Sequence, residues 1–208
     1  MDTKVKIQQA YQAFIKNKCK KPESFDAFSE HLKSMDIELK DVYHSLTRIE
    51  RDIVLGTFTE TLSRLENEPE YLEFSTREKV LACYFTWLEE LVEIREMLKV
   101  LTKHSLISPV TERFLKSVEP VFKTYIEDLL IEGADTGEIA DRKIIESRYP
   151  VILWYNTRFI LQYWLNDDSE DYERTDAAIE KAVNFVFDLL APNLIDSGFD
   201  LLKFLVGK

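Results

Sequence analysis

The sequence predicts an all-α protein, and three observations predict it. Apolar residues recur at steps of three and four along most of the chain, no useful stretch alternates at the two-residue period of a strand, and no internal repeat is present. With 208 residues, 45% apolar content, five Gly and six Pro, the composition is that of a folded protein with a sizeable core.

The helices follow in order. Lys4 to Lys18 carries Ile7, Ala10, Tyr11, Phe14 and Ile15 at helical spacing, with lysines on the remaining surface, and Pro22 breaks the pattern. Phe25, Phe28, Leu32 and Met35 form a second short stripe. Ile37, Leu39, Val42, Tyr43 and Leu46 predict a third helix after a turn around Ser34–Asp36. Three short helices over residues 1–48 make a compact unit of the helix-turn-helix kind.

Thr47-Arg-Ile-Glu50 has the form of a capping box, in which each end of the motif satisfies the other's amide. It opens a connecting helix over 49–66, with Ile53, Leu55, Phe58, Leu62 and Leu65 on one side. A second box, Ser75-Thr-Arg-Glu78, precedes one long helix from Lys79 to Lys103. Ser108-Pro109 is a cap-then-proline start for a short helix reaching about Lys116. The next helix runs from Pro120 to Glu132, where Gly133 is placed to end it in the left-handed conformation.

Ile144 to Leu165 is the most apolar stretch and reads as the central strut. Ile145, Tyr149, Ile152, Phe159 and Tyr163 predict its buried face, which Leu153, Trp154, Ile160, Trp164 and Leu165 widen. So broad an arc needs partners on more than one side, within the domain or across a subunit interface. Pro150 fits either the first turns or a kink in a longer helix. Ala178 to Leu190 predicts a last main helix, with Phe185 and Phe187 widening its buried side. The tail, with Phe199, Leu202, Phe204 and Leu205, fits docking on the bundle, covering a cavity or meeting another subunit.

Charge divides the chain. Residues 1–48 hold nine Lys/Arg against seven Asp/Glu, whereas residues 49–208 hold 18 against 31. The larger part should repel nucleic acid, so DNA contact is expected only near the N-terminus. Cys19 and Cys83 match neither a metal spacing nor a disulfide framework. No secretory leader pattern or run of transmembrane length is present, and the expectation is a cytoplasmic protein without membrane insertion. His31, His44 and His104 form no ligand set, and no phosphate loop or nucleophile motif occurs. Neither an enzyme nor a metal or cofactor site is expected.

The stretch Glu38 to Val54, ELKDVYHSLTRIERDIV, together with the Lys-rich first helix, resembles the TetR/AcrR-like transcriptional regulator family. Tyr43-His44 matches the pair that ends the family's third helix, Leu46 takes the following aromatic position, Thr47-Arg48 the turn, and Ile49-Glu50 the start of helix four. Leu129 to Gly133 and Gly137-Glu138-Ile139 resemble the turn before the penultimate helix. The helix-turn-helix is divergent: Asp36 stands where glycine is usual, Glu38 where a small polar residue is usual, and Lys40 near a small-residue position.

The resemblance implies a TetR-like fold, with a helix-turn-helix domain over 1–48 and a ligand-binding and dimerisation domain over 49–208. It implies a homodimer through residues 144–190, and double-stranded DNA and a small apolar or amphipathic ligand as partners. Lys4, Lys16, Lys20, Lys21, Lys40, Tyr43 and His44 are the DNA-binding candidates, with Lys6, Lys18 and Lys33 as further cations. The implied ligand pocket is lined by Tyr84, Trp87, Leu88, Leu91, Arg95, Phe122, Tyr125, Trp154, Tyr155 and Arg158. Three functions remain open: a ligand-responsive transcriptional regulator, a TetR-fold lipid or small-molecule binder that does not bind DNA, and a homodimeric interaction module without a pocket. Glu38 and Asp41 beside Lys40 weigh against the first, because Arg, Lys, Asn and Gln read DNA most readily.

Overall fold

A computed structural model describes residues 2–39, 41–102, 106, 112–139 and 149–190, without the side chains of residues 189 and 190. The described elements are α-helices and 3-10 turns: α1 Thr3–Lys18, α2 Phe25–Lys33, α3 Leu46–Glu66, α4 Thr76–Val92, α5 Arg95–Leu101, α6 Val118–Asp135, α7 Tyr149–Leu165 and α8 Glu173–Leu190. The chain forms two compact units, Met1–Ser63 with Thr86–Glu119, and Arg64–Phe85 with Pro120–Lys208. An all-α fold follows directly from the helical periodicity.

In the first unit α1 and α2 form as expected. Asp2 caps α1 by accepting from the Lys4 amide at 3.2 Å, and Ser24 caps α2 through the Ala27 amide at 3.0 Å. The expected third helix is corrected: among the described residues 34–45 there are only turns. Asp36 takes the left-handed conformation, φ 58°, and Leu39 O accepts from the amides of Val42 and Tyr43 in one isolated turn. Leu39 and Tyr43 are both buried, so that single turn already satisfies the apolar spacing.

The first capping box is corrected too. Ser45, not Thr47, caps α3, its hydroxyl accepting from the Arg48 amide at 3.2 Å. Glu50 is drawn away into a tertiary contact, accepting from the Tyr11 hydroxyl at 2.7 Å and pairing with Lys21 at 2.5 Å. The single helix expected from Lys79 to Lys103 is two, α4 and α5, broken at Glu93 and Ile94 with neither Gly nor Pro present. The break buries Ile94 beside the α5 residues Met97, Leu98 and Leu101 and leaves Val92 exposed. The Ser108-Pro109 start lies outside the described residues, and a 3-10 turn occupies Arg113–Ser117.

In the second unit the box at Ser75–Glu78 forms in both directions. The Ser75 amide donates to Glu78 at 2.8 Å and the Glu78 amide to Ser75 Oγ at 3.3 Å. Gly133 does not end α6, which continues to Asp135. A side chain there would lie 2.6 Å from Thr76 Oγ1 and 2.8 Å from Ile139 Cδ1, so close packing is what requires glycine. Gly137, with φ 77°, supplies the left-handed residue.

Helix α7 holds Pro150 in its first turn, while Ile144 and Ile145 lie outside the described residues, as does the tail with Phe199, Leu202, Phe204 and Leu205. Helix α8 starts at Glu173, earlier than Ala178, because the preceding loop is tied down by Asp167. Its carboxylate accepts the N–H and O–H of both Ser169 and Thr175, at 2.6–2.9 Å. Helices α7 and α8 pack together. Among the described residues no helix is long and apolar enough to cross a membrane.

Candidate functional site

Within the second unit α7 and α8 carry a run of exposed apolar side chains, and α7 presents it by a division of two apolar faces. Tyr149, Leu153, Trp154, Thr157, Arg158, Ile160, Leu161, Trp164 and Leu165 are buried. Ile152, Tyr155, Phe159 and Tyr163 are 41%, 44%, 39% and 38% exposed. This corrects the expected buried face, which Ile152, Phe159 and Tyr163 were to form. The polar Thr157 is accommodated inside: its hydroxyl lies 2.8 Å from Leu153 O of its own helix and 3.0 Å from the buried Tyr84 hydroxyl.

Helix α8 divides likewise. Ile179, Val183, Val186 and Phe187 are buried, while Phe185, expected on the buried side, is 64% exposed. Between the two helices runs a groove of about 580 Å³, with Phe159 and Tyr163 on one side and Ala178, Ala182 and Phe185 on the other. Arg174 and Lys181 add positive charge to it. The sequence carries the signal for this surface, an apolar arc too broad for one core, but not which side of the arc faces out.

The DNA-binding candidates are placed as follows. Lys4 pairs with Asp52 at 2.8 Å, where Arg48 also arrives at 3.4 Å. Lys21 pairs with the buried Glu50, and the exposed Lys20 lies 3.6 Å from Glu23. Tyr43 is buried, accepts from Gln8 Nε2 at 2.9 Å and interacts with Asp52. Burial pushes its hydroxyl pKa up to about 12 against the opposing effect of the Gln8 hydrogen bond. Lys16 and His44 are exposed, and Lys40 lies outside the described residues. Glu50 and Asp52 of α3 therefore gather Lys4, Lys21 and Tyr43 into the first unit's own framework.

The pocket candidates fall into both units. In the first, Trp87 donates to Thr57 Oγ1 at 3.1 Å and meets Phe58 edge-on at 4.9 Å, Leu88 and Leu91 are buried, and Arg95 is half-buried. In the second, Phe122 stacks on Tyr84 with centroids 6.3 Å apart and meets Trp154 at a tilt, 5.5 Å away. Burial raises the Tyr84 pKa well above the usual tyrosine value. Tyr125 and Tyr71 share a 2.6 Å hydrogen bond, and Tyr125 also reaches Lys79 O. The buried Lys79 pairs with Glu132. Arg158 is buried with its guanidinium 5.3 Å from the ring of the outward-facing Tyr155. These interior aromatics fill space against one another.

Among the described residues no group of three or more His, Cys, Asp or Glu is placed to hold a metal. No curated protein matches the chain. Residues 79–205 match the family model described as Tetracyclin repressor-like, C-terminal domain, and with more than half of its length inside that match the chain belongs to this family.

Proposed function

We propose that this protein is a homodimeric TetR-fold interaction module that neither reads DNA nor keeps an open ligand pocket. The observation that carries the reading is the outward stripe Ile152, Tyr155, Phe159 and Tyr163, continued by Phe185 across the groove. A contiguous apolar surface of this kind marks an association site, and a closed homodimer is the commonest way to cover one. Residues 144–190 are the proposed dimer region.

Two further features support the reading. Lys4, Lys21 and Tyr43 are engaged by Asp52 and Glu50, which competes with the phosphate contacts that position a protein on DNA. Tyr84, Phe122 and Trp154, three of the implied pocket residues, turn their rings on one another, which favours a filled interior over the apolar cavity a ligand would need. Catalysis has no part in it.

Light scattering behind size exclusion tests the proposal. The protein is expected at twice the mass of one chain, and Phe159→Lys with Tyr163→Lys at one. A wild-type protein that stays at one chain mass at high micromolar concentration overturns it. Selection from a random duplex library at two salt concentrations tests the regulator reading. Enrichment of a palindromic site would reinstate it, with Lys16, Lys20 and His44 as the first residues to replace.

A further inference from the structure

The exposed edge of α8 is its own complement. Arg174, Ala178, Lys181, Phe185 and Asp188 follow one another at steps of four, three, four and three, the spacing of a seam along which two helices pack. Each position described on this seam is exposed or half-buried. The residue types on the two sides of Lys181 are complementary in size and charge. Going one way from it, the chain meets the small Ala178 and then the cationic Arg174; going the other way, the large Phe185 and then the anionic Asp188.

We propose that α8 pairs antiparallel with α8 of a second copy about a two-fold axis at Lys181, seating Phe185 of each copy on Ala178 of the other and facing Arg174 of each toward Asp188 of the other. This rests on the homodimer reading and assigns its register. In an isologous interface residue i meets j and j meets i, so a sequence fits only if its halves are complementary about the axis. Size and charge both satisfy that condition here. The groove beside Ala178 and Ala182 has the room that a projecting phenylalanine needs, and Phe185 is the most exposed aromatic of α8.

Within one chain Asp188 lies 3.6 Å from the half-buried Arg77 and Arg174 lies 3.8 Å from Asp168, with Asp188, Arg174 and Asp168 well exposed to water. These surface pairs hold their members weakly, and the acids and bases can exchange partners as the second copy arrives. Lys181 meets its own symmetry mate at the axis. Its aliphatic stem covers apolar surface while the ammonium groups diverge into water. On each flank, the α7 residues Phe159 and Tyr163 extend the same contact.

A pair of double-mutant cycles, read as dimer dissociation constants by sedimentation, tests the register. Phe185→Ala and Ala178→Phe should each weaken the dimer by about 10-fold or more, the scale of a buried aromatic anchor. Phe185→Ala combined with Ala178→Phe exchanges knob and hole and should return the dimer to within about 3-fold of wild type. Arg174→Glu combined with Asp188→Lys should likewise recover what Arg174→Glu loses. Circular dichroism with unchanged helix content and melting temperature controls for folding, which these surface positions should preserve. If the wild type dimerises and both double variants are as weak as their single effects multiplied together, the register is overturned and the homodimer stands. If the wild type never dimerises, the homodimer falls and the register with it.

Discussion

The Glu138 carboxylate caps Thr76 across 62 positions of sequence, accepting the Thr76 amide at 2.8 Å, and it takes the neighbouring Arg77 amide at 3.2 Å. A negative group at the first amides of α4 satisfies otherwise unpaired donors and complements the helix dipole. Glu138→Ala is expected to lower stability by about 1–2 kcal/mol, the range for a lost helix cap, with Glu138→Gln intermediate. Chemical denaturation of the two variants checks the order. No change in either would show that water caps α4 equally well.

Asp167 predicts a pH dependence. Burial acts to raise its pKa, but the hydrogen bonds from Thr175 and Ser169 outweigh this and hold the carboxyl well below the usual range. A carboxylate depressed in the folded state stabilises fully above its unfolded pKa, about 4, and loses that contribution as pH falls through the folded value. The stability gap between wild type and Asp167→Asn should therefore be widest near neutral pH and narrow below about pH 4. Melting curves from pH 7 down to 2 measure it, and a gap that widens in acid would contradict the assignment.

The glycines predict opposite signs. Gly133→Ala places a methyl group against Thr76 and Ile139 and should destabilise by about 1–3 kcal/mol, as overpacking does. Gly56 lies within α3 with nothing within 4 Å of an added Cβ. Gly56→Ala should stabilise by about 0.5–1 kcal/mol through helix propensity. Urea titrations of the two variants should move in opposite directions.

The two thiols should separate cleanly. Cys19 is exposed and Cys83 buried, with burial pushing the Cys83 pKa up to about 12 against a hydrogen bond with Tyr125. Thiolate is the reactive form. A chromogenic disulfide reagent should titrate one thiol in the native protein and two in denaturant, and Cys19→Ser should abolish the native reaction.

What was legible in the sequence was local. The helices of α1, α2, α3 and α6 follow from apolar spacing, and the box at Ser75–Glu78 forms because its partners are three residues apart and nothing else competes for them. The matching pattern at Thr47–Glu50 fails because Tyr11 and Lys21, distant in sequence, take Glu50. The Glu138 cap and the packing role of Gly133 are likewise long-range and leave no periodic trace. The surface on α7 was half legible. Its excess of apolar residues requires a partner, yet the choice between two apolar faces is made by packing against residues distant in sequence, such as Tyr84 beside Thr157, which no spacing within α7 encodes.

The meeting of Tyr11 and Lys21 on Glu50 has a consequence for how this protein can change. Glu50 without both partners is a buried anion with unmet demands, and Lys21 without Glu50 loses its counter-ion. Single replacements at these positions each pass through an ill-matched intermediate. In descendants of this chain, positions 11, 21 and 50 should be inherited as one trait, kept together or exchanged together for an apolar set.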